Sequence, residues 1–183
     1  MKTILQINSS IFNGSGQSSR LASQLVEGLR ARHPGVQVVV RDLVKNPVPH
    51  LDAERFKSGA GRELVEELQA ADVLVLGLPM YNFGVPSQLK AWFDHIARAG
   101  VTFKYTDRGS VGLLTGKKAY VVSTRGGVYP GAADTQSAYV RAFLKFLGIA
   151  DVQFVYAEGL AMSPEHKEKS LRTAQNEIER LAA

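Results

Sequence analysis

The chain contains no cysteine, which excludes disulfides, thiolate-ligated metals, iron–sulfur clusters and a thiol nucleophile together. Any redox chemistry therefore has to come from a bound cofactor. No stretch is apolar for long enough to cross a bilayer, so no membrane association is expected. The opening residues, Met1-Lys2-Thr3-Ile4-Leu5, run directly into a strand pattern without the basic flank, apolar run and cleavage site of a secretory signal. The expected location is the cytoplasm. The four histidines, His33, His50, His95 and His166, lack metal-ligand spacing and are expected at surface or structural positions.

The 183 residues, 45% of them hydrophobic, suffice for one substantial core, so residues 1–183 are read as a single domain. A formal charge of +5 invites a nucleic-acid reading. However, the 22 basic residues are interspersed with 17 acids, as in Glu165-His166-Lys167-Glu168-Lys169, and no basic run alternates with aromatics. No nucleic-acid partner is expected; the consequence is a mild attraction for anionic ligands.

Five strands alternate with helices. Lys2 to Asn8 reads as a buried strand, followed by a polar, glycine-rich loop and an amphipathic helix from Ser18 to about His33. Pro34-Gly35 stops that helix, and Val36 to Val40 has the β-branched content of a second strand. Leu64, Val65 and Leu68 have helical spacing within 60–71. Asp72 to Leu78 is apolar on both faces, as in the central strand of a covered parallel sheet. After Pro86 a helix carries Leu89, Trp92, Phe93 and Ile96 on one stripe, with Trp92 assigned to core or interface. Lys117 to Ser123 and Asp151 to Ala157 give the last two strands, with helices at Ala133 to Leu147 and Ser163 to Leu181. An open parallel sheet with helices on both faces follows, because every crossover is long. Two strand orders are common for such sheets, a dinucleotide-type order and 2-1-3-4-5.

Ligands of these sheets bind beyond the carboxyl ends of the strands, near the point where strand order reverses. Three loops there are unusual. Ser9 to Ser19 offers hydroxyls and unhindered amides before a helix N-terminus, which suits a phosphate dianion; serine and glycine are also what ordinary loops prefer. It carries no Lys-Ser or Lys-Thr after its second glycine, so it is not a P-loop, and Gly14-Ser15-Gly16-Gln17-Ser18-Ser19 lacks the third glycine of a dinucleotide fingerprint. Asp42 stands where a ribose-binding acid would stand in that rival, and is read instead as an exposed acid beside Arg41. Pro79 to Pro86 is rich in aromatic and apolar side chains that suit a flat ring, with Asn82 and backbone amides for its polar edge, although Met80 and Phe83 also suit a cap over the core. Ser123 to Tyr129 presents adjacent amides from Gly126 and Gly127, suited to a pyrimidine oxygen. One phosphate cradle and two walls for a planar heterocycle fit FMN better than other common ligands.

Pro79-Met80-Tyr81-Asn82-Phe83, the Ala99-Gly100-Val101-Thr102-Phe103-Lys104-Tyr105-Thr106 stretch, Thr115-Gly116-Lys117-Lys118, Arg125-Gly126-Gly127 and Tyr156-Ala157-Glu158-Gly159 closely resemble the bacterial FMN-dependent NADH-azoreductase family, also described as quinone reductases. The resemblance runs over nearly the whole chain. It implies a flavodoxin-like fold of strand order 2-1-3-4-5, a homodimer, and one non-covalent FMN per subunit at the dimer interface. It assigns Ser10, Gly16, Gln17 and Ser18 to the FMN phosphate, Met80, Tyr81, Asn82 and Phe83 to the isoalloxazine, and Thr124, Arg125, Gly126 and Gly127 to its other edge. The chain departs from the family in a short segment near Phe56 to Glu63 and in Gly16, where a serine is common. The implied activity is two-electron, ping-pong hydride transfer through flavin N5 from NADH or NADPH to a quinone or azo compound. The cofactor carries the chemistry, so no obligatory acid or base is nominated; Asn82, Tyr105 and Phe103 are candidate substrate contacts. A flavodoxin-like electron carrier is the alternative, disfavoured by the basic charge.

Overall fold

Five strands form a parallel central sheet: β1 (Thr3–Asn8), β2 (Gln37–Asp42), β3 (Val73–Pro79), β6 (Lys118–Thr124) and β7 (Asp151–Ala157), of which β1, β3 and β6 are buried on both faces and β2 and β7 are partly exposed. The computed structural model describes residues 1–183. The sheet order is β2-β1-β3-β6-β7, which is 2-1-3-4-5 when only these strands are counted. Side chains alternate across each strand. Thus Leu74, Leu76 and Leu78 of β3 enter one core, while Val73 and Val75 enter the other.

Helices α1 (Gln17–Arg32) and α6 (Pro164–Ala182) cover one face, and α3 (Arg62–Ala70), α4 (Ser87–Ile96) and α5 (Thr135–Leu147) the other. The α4 stripe of Leu89, Trp92, Phe93 and Ile96 is fully buried, which places Trp92 in the core. Phe93 stacks on Phe143 of α5 with ring centroids 4.2 Å apart, and truncating such a ring to alanine costs about 3–5 kcal/mol. Helix ends follow the sequence cues. Ser163 caps α6 by accepting a hydrogen bond from the His166 amide, and Gly148 ends α5 with φ of 101°, a left-handed geometry that favours glycine.

Two elements go beyond the sequence-based expectation. One is α2 (Ala53–Ser58), a short helix with no buried residue. The other is an antiparallel hairpin, β4 (Phe103–Thr106) and β5 (Gly109–Gly112). Only Phe103 of β4 is buried, so the hairpin has almost no apolar alternation from which it could be recognised.

Register positions the site. Asn8 of β1 pairs with Gly77 of β3, and Pro79 of β3 pairs with Thr124 of β6. The carboxyl ends of three neighbouring strands therefore finish in a row. The chain turns from β1 to β2 on one side and continues from β3 on the other, so this row lies at the reversal of strand order.

Candidate functional site

The loops following β1, β3 and β6 meet in one open cleft of about 190 Å³. It is lined by Ser10, Gly16, Gln17 and Ser18 from the first, Pro79, Met80 and Tyr81 from the second, and Thr124, Arg125 and Gly126 from the third. Phe12 and Leu160 complete it. A larger hollow of about 820 Å³ lies between α1 and α6. No buried unpartnered polar atom lines that hollow, and none of its lining residues belongs to the three loops.

The first loop carries the donors. Gly16 is the N-cap of α1 and provides no side-chain cap; the amides of Gln17, Ser18 and Ser19 meet no acceptor. The hydroxyls of Ser18 and Ser19 are buried and likewise unpartnered. Buried polar groups are nearly always satisfied, and a helix N-terminus adds partial positive charge. Such a place is built for an anion. A Cβ on Gly16 would stand 2.1 Å from Ser10 Oγ and 2.6 Å from Ser10 Cβ, so glycine is what allows Ser10 to fold beneath the helix start. At Gly77 a Cβ would come 3.1 Å from the Ser18 carbonyl oxygen, and its absence lets α1 settle on the sheet. These features fit the phosphate of a flavin mononucleotide.

The second loop is a tight turn under strain. Tyr81 and Gly84 exchange backbone hydrogen bonds of 3.2 and 3.0 Å, and the residues between them, Asn82 and Phe83, have φ of 49° and 64°. A phenylalanine in that region costs about 1–2 kcal/mol. Strain of this sort persists where the surroundings over-determine the backbone. Those surroundings are visible: Met80 N donates to the Thr124 carbonyl, Thr135 Oγ1 donates to the Phe83 carbonyl at 2.8 Å, and Gln136 Nε2 donates to the carbonyls of Pro79 and Gly84 at 3.0 and 2.8 Å. The Phe83 ring is 66% exposed and meets Tyr129 edge-on at 5.8 Å. Tyr81 Oη accepts from the Ile11 amide and lies 3.5 Å from Ser10 Oγ, joining this loop to the first.

The third loop presents the amides of Gly126 and Gly127, neither of which has an acceptor. Its arginine behaves differently from its glycines. The Arg125 guanidinium is wholly buried, paired with Asp134 at 2.7 Å and Glu158 at 3.0 Å. It also donates to Ser123 and Ser137 and lies over the Tyr156 ring. Arg125 thus anchors the loop from behind. Burial alone pushes the Asp134 carboxyl up, but hydrogen bonds from Ser137 and Arg125 outweigh it and hold the group below the usual carboxylate range.

The other candidates lie outside the cleft lining. Asn82 and Phe83 sit exposed on the turn, Tyr105 is 75% exposed on the hairpin, and Phe103 is buried in the core against Phe146. Gly127 stands beside the Tyr129 hydroxyl. Asp42 is a correction. It is buried, and its carboxylate accepts from the amides of Val44 and Lys45, closing the turn after β2. Arg41 pairs with Glu67 instead. His95 is buried with its ring nitrogens at the carbonyls of Ala60 and Pro49, a structural position as expected. Sequence reasoning missed Thr135, Gln136, Asp134 and Glu158. A polar run at the start of an amphipathic helix looks like capping alone.

A protein family described by its flavodoxin-like fold matches residues 2–182. The FMN-dependent NADH:quinone oxidoreductase of Cellvibrio japonicus is 50% identical, with 98% of each chain covered. That of Alcanivorax borkumensis is 48% identical, covering 96% of this chain and 97% of the other. Among solved structures, an azoreductase from Bacillus anthracis strain Sterne superposes with a TM-score of 0.89 at 28% identity, covering 100% of this chain and 99% of that one. An FMN-dependent NADH-azoreductase from Bacillus anthracis strain Ames Ancestor, solved in complex with FMN, gives 0.84 at 28% identity, with both chains fully covered.

Proposed function

The chain belongs to the flavodoxin-like fold family, and from that premise we propose that it is an FMN-dependent NADH:quinone oxidoreductase that also reduces azo compounds. The observation that carries this reading is the set of unpartnered donors at the start of α1, in the cleft that Met80 and Tyr81, which lead into the strained turn, also line. Relatives of about 50% identity bear the name of this activity, and a structural neighbour was solved with FMN.

FMN, when bound, supplies two-electron transfer between NADH and the acceptor. The protein's part is binding and electrostatics. Ser10 and Ser18 hydroxyls and the free amides of Gln17, Ser18 and Ser19 would hold the phosphate, with Gly16 giving the room for its approach and the start of α1 opposing its charge. Met80, Tyr81 and the Asn82-Phe83 turn form one side of the ring site. Thr124 and the amides of Gly126 and Gly127 form the other, and those fixed donors stabilise negative charge at the pyrimidine edge without reorganising. Arg125 acts through the loop it anchors. Asn82 and Tyr105, exposed outside the cleft lining, are the proposed contacts for the acceptor, and Phe103 supports the hairpin that carries Tyr105. The exposed apolar residues near the cleft, among them Phe12, Phe83 and Val128, suit a homodimer in which a second copy covers the cofactor. NADPH is an alternative donor, and the cytoplasm is the proposed location.

The test is direct. The purified protein is yellow, bleaches with NADH without oxygen, and recolours when menadione or methyl red is added. Colourless protein that takes up no added FMN overturns the reading.

A further inference from the structure

The two ring-side walls are not separate pieces of loop. Both are fastened to the same four residues, Asp134-Thr135-Gln136-Ser137, at the start of α5. Thr135 and Gln136 grip the wall after β3 through the carbonyls of Pro79, Phe83 and Gly84. Asp134 and Ser137 grip the wall after β6 through the Arg125 guanidinium. Gln136 reaches both, because its Oε1 accepts from Ser123 Oγ at the end of β6. Its side chain is only 1% exposed, and both ends of the amide are used.

This arrangement exceeds what capping requires. Asp134 alone caps α5 by accepting from the Ser137 amide. Gln136 adds nothing to the helix, since all its partners lie on β3, β6 and the turn between β3 and α4. Its two donors meet the carbonyls that bracket the turn, where Asn82 and Phe83 are held at positive φ.

We propose that the first turn of α5 is a clamp that holds the two ring-side walls of the cleft as one rigid unit, with Gln136 as its principal positioning residue. The inference rests on the FMN reading for its consequence, but not for its geometry. Gln136 touches no reacting atom. It acts by fixing where the Tyr81–Gly84 turn stands relative to Gly126 and Gly127, so that the cofactor site exists before the cofactor arrives.

The experiment compares three variants of the full chain with the wild type. Gln136→Leu keeps the volume and removes the bonds; Thr135→Val removes only the exposed tie to Phe83 and leaves the core untouched. Thr102→Val is the control, since Thr102 is equally buried and hydrogen-bonded to Ile96 but lies outside the cleft. Amide hydrogen exchange of the FMN-free protein at Tyr81 and Gly84 should quicken about tenfold in Gln136→Leu, and FMN affinity should fall about tenfold, because a buried amide bond is lost at each end. Thr135→Val should show about a threefold effect on both, as one net hydrogen bond suggests. Thr102→Val should lower the melting temperature and leave both readouts unchanged. Equal shifts in Gln136→Leu and Thr102→Val at equal loss of stability would overturn the proposal, as would unchanged exchange at Tyr81 and Gly84. Faster exchange in a protein whose wild type takes up no FMN would support the clamp and sink the functional reading alone.

Discussion

The two ends of the central sheet are made by the same strands and differ in kind. At the amino ends, groups are matched within the chain. The Asp72 carboxylate accepts from the amides of Lys2 and Thr3, Lys117 Nζ donates to the carbonyls of Gln69 and Ala71, and Lys118 faces Asp151. At the carboxyl ends, three amides and two buried hydroxyls at the start of α1 find no partner, and three non-glycine residues, Asn13, Asn82 and Phe83, stand at positive φ. One end is closed to further bonding and the other is held open. The contrast teaches that the fold is stabilised by one set of residues and its ligand chemistry is supplied by another, so mutations at the two ends should separate stability from binding.

The largest separation should come from the core toward the amino end. Leu74 is 1% exposed, and Leu74→Ala should lower the unfolding free energy by about 2–5 kcal/mol. The FMN affinity of the molecules that remain folded should be unchanged. Chemical denaturation and fluorescence titration measure the two quantities, and a parallel fall in affinity would break the comparison. Next comes Gly16→Val at the other end. Its Cβ would collide with Ser10, displacing the hydroxyl and tilting the free amides. Loss of charge-assisted bonds at about 1.5–3 kcal/mol each should weaken FMN binding about a hundredfold. The FMN-free protein should melt within a few degrees of wild type. A variant that stays yellow through gel filtration would place the phosphate elsewhere.

The legibility of the sequence follows the same division. Apolar runs such as Val73 to Leu78 and the Leu89-Trp92-Phe93-Ile96 stripe announce their burial by periodicity, and the strands and helices follow from them, whereas periodicity leaves two sheet orders open. The loops after β1, β3 and β6 were recognisable because serine, glycine and aromatic residues cluster where a strand has just ended. What stayed hidden is whatever depends on contacts distant in sequence. Gln136 meets Pro79, 57 residues away, and nothing local distinguishes it from a solvated helix residue. Asp42 looked exposed beside Arg41, but its carboxylate turns back onto its own backbone. Arg125 stood in a motif of ring contacts, yet its side chain is taken up by Asp134 and Glu158. The hairpin carrying Tyr105 is too short and too polar to show alternation.

A third variant sharpens the comparison at the strained turn. Phe83→Gly relieves about 1–2 kcal/mol of left-handed strain and forfeits about 0.5–1.5 kcal/mol from the edge contact with Tyr129. Stability without cofactor should therefore stay within about 1 kcal/mol of wild type, far from the loss in Leu74→Ala. Quinone reduction should still fall, by about tenfold in kcat/KM, because the exposed ring beside the cleft is gone and the turn is free to wander. Steady-state kinetics at saturating FMN decide it. Unchanged turnover would make the strain at residue 83 a feature of the turn alone.

The smallest effect, and the finest test, uses one carboxylate from each end. Asp72 is held below the ordinary carboxylate value chiefly by the amides of Lys2 and Thr3. Asp134 is also held below it, with Ser137 and Arg125 outweighing the opposing effect of burial. A depressed folded value means that each group stabilises the fold fully above the unfolded carboxylate range, near pH ~3.9. That contribution is lost as pH falls through the folded value. Asp72 is exposed, so solvent screening keeps its share small. In Asp72→Asn the acid limb of the stability profile should flatten slightly while the pH profile of FMN affinity stays as in wild type. In Asp134→Asn the affinity profile should flatten on its acid limb, below the ordinary carboxylate range, because protonating Asp134 removes one of the two carboxylates that hold Arg125 and so loosens the Gly126 wall. Titrations of FMN fluorescence and of denaturation midpoint across that limb read both. If Asp72→Asn also flattened the affinity profile, the amino and carboxyl ends of the sheet would be coupled rather than separate.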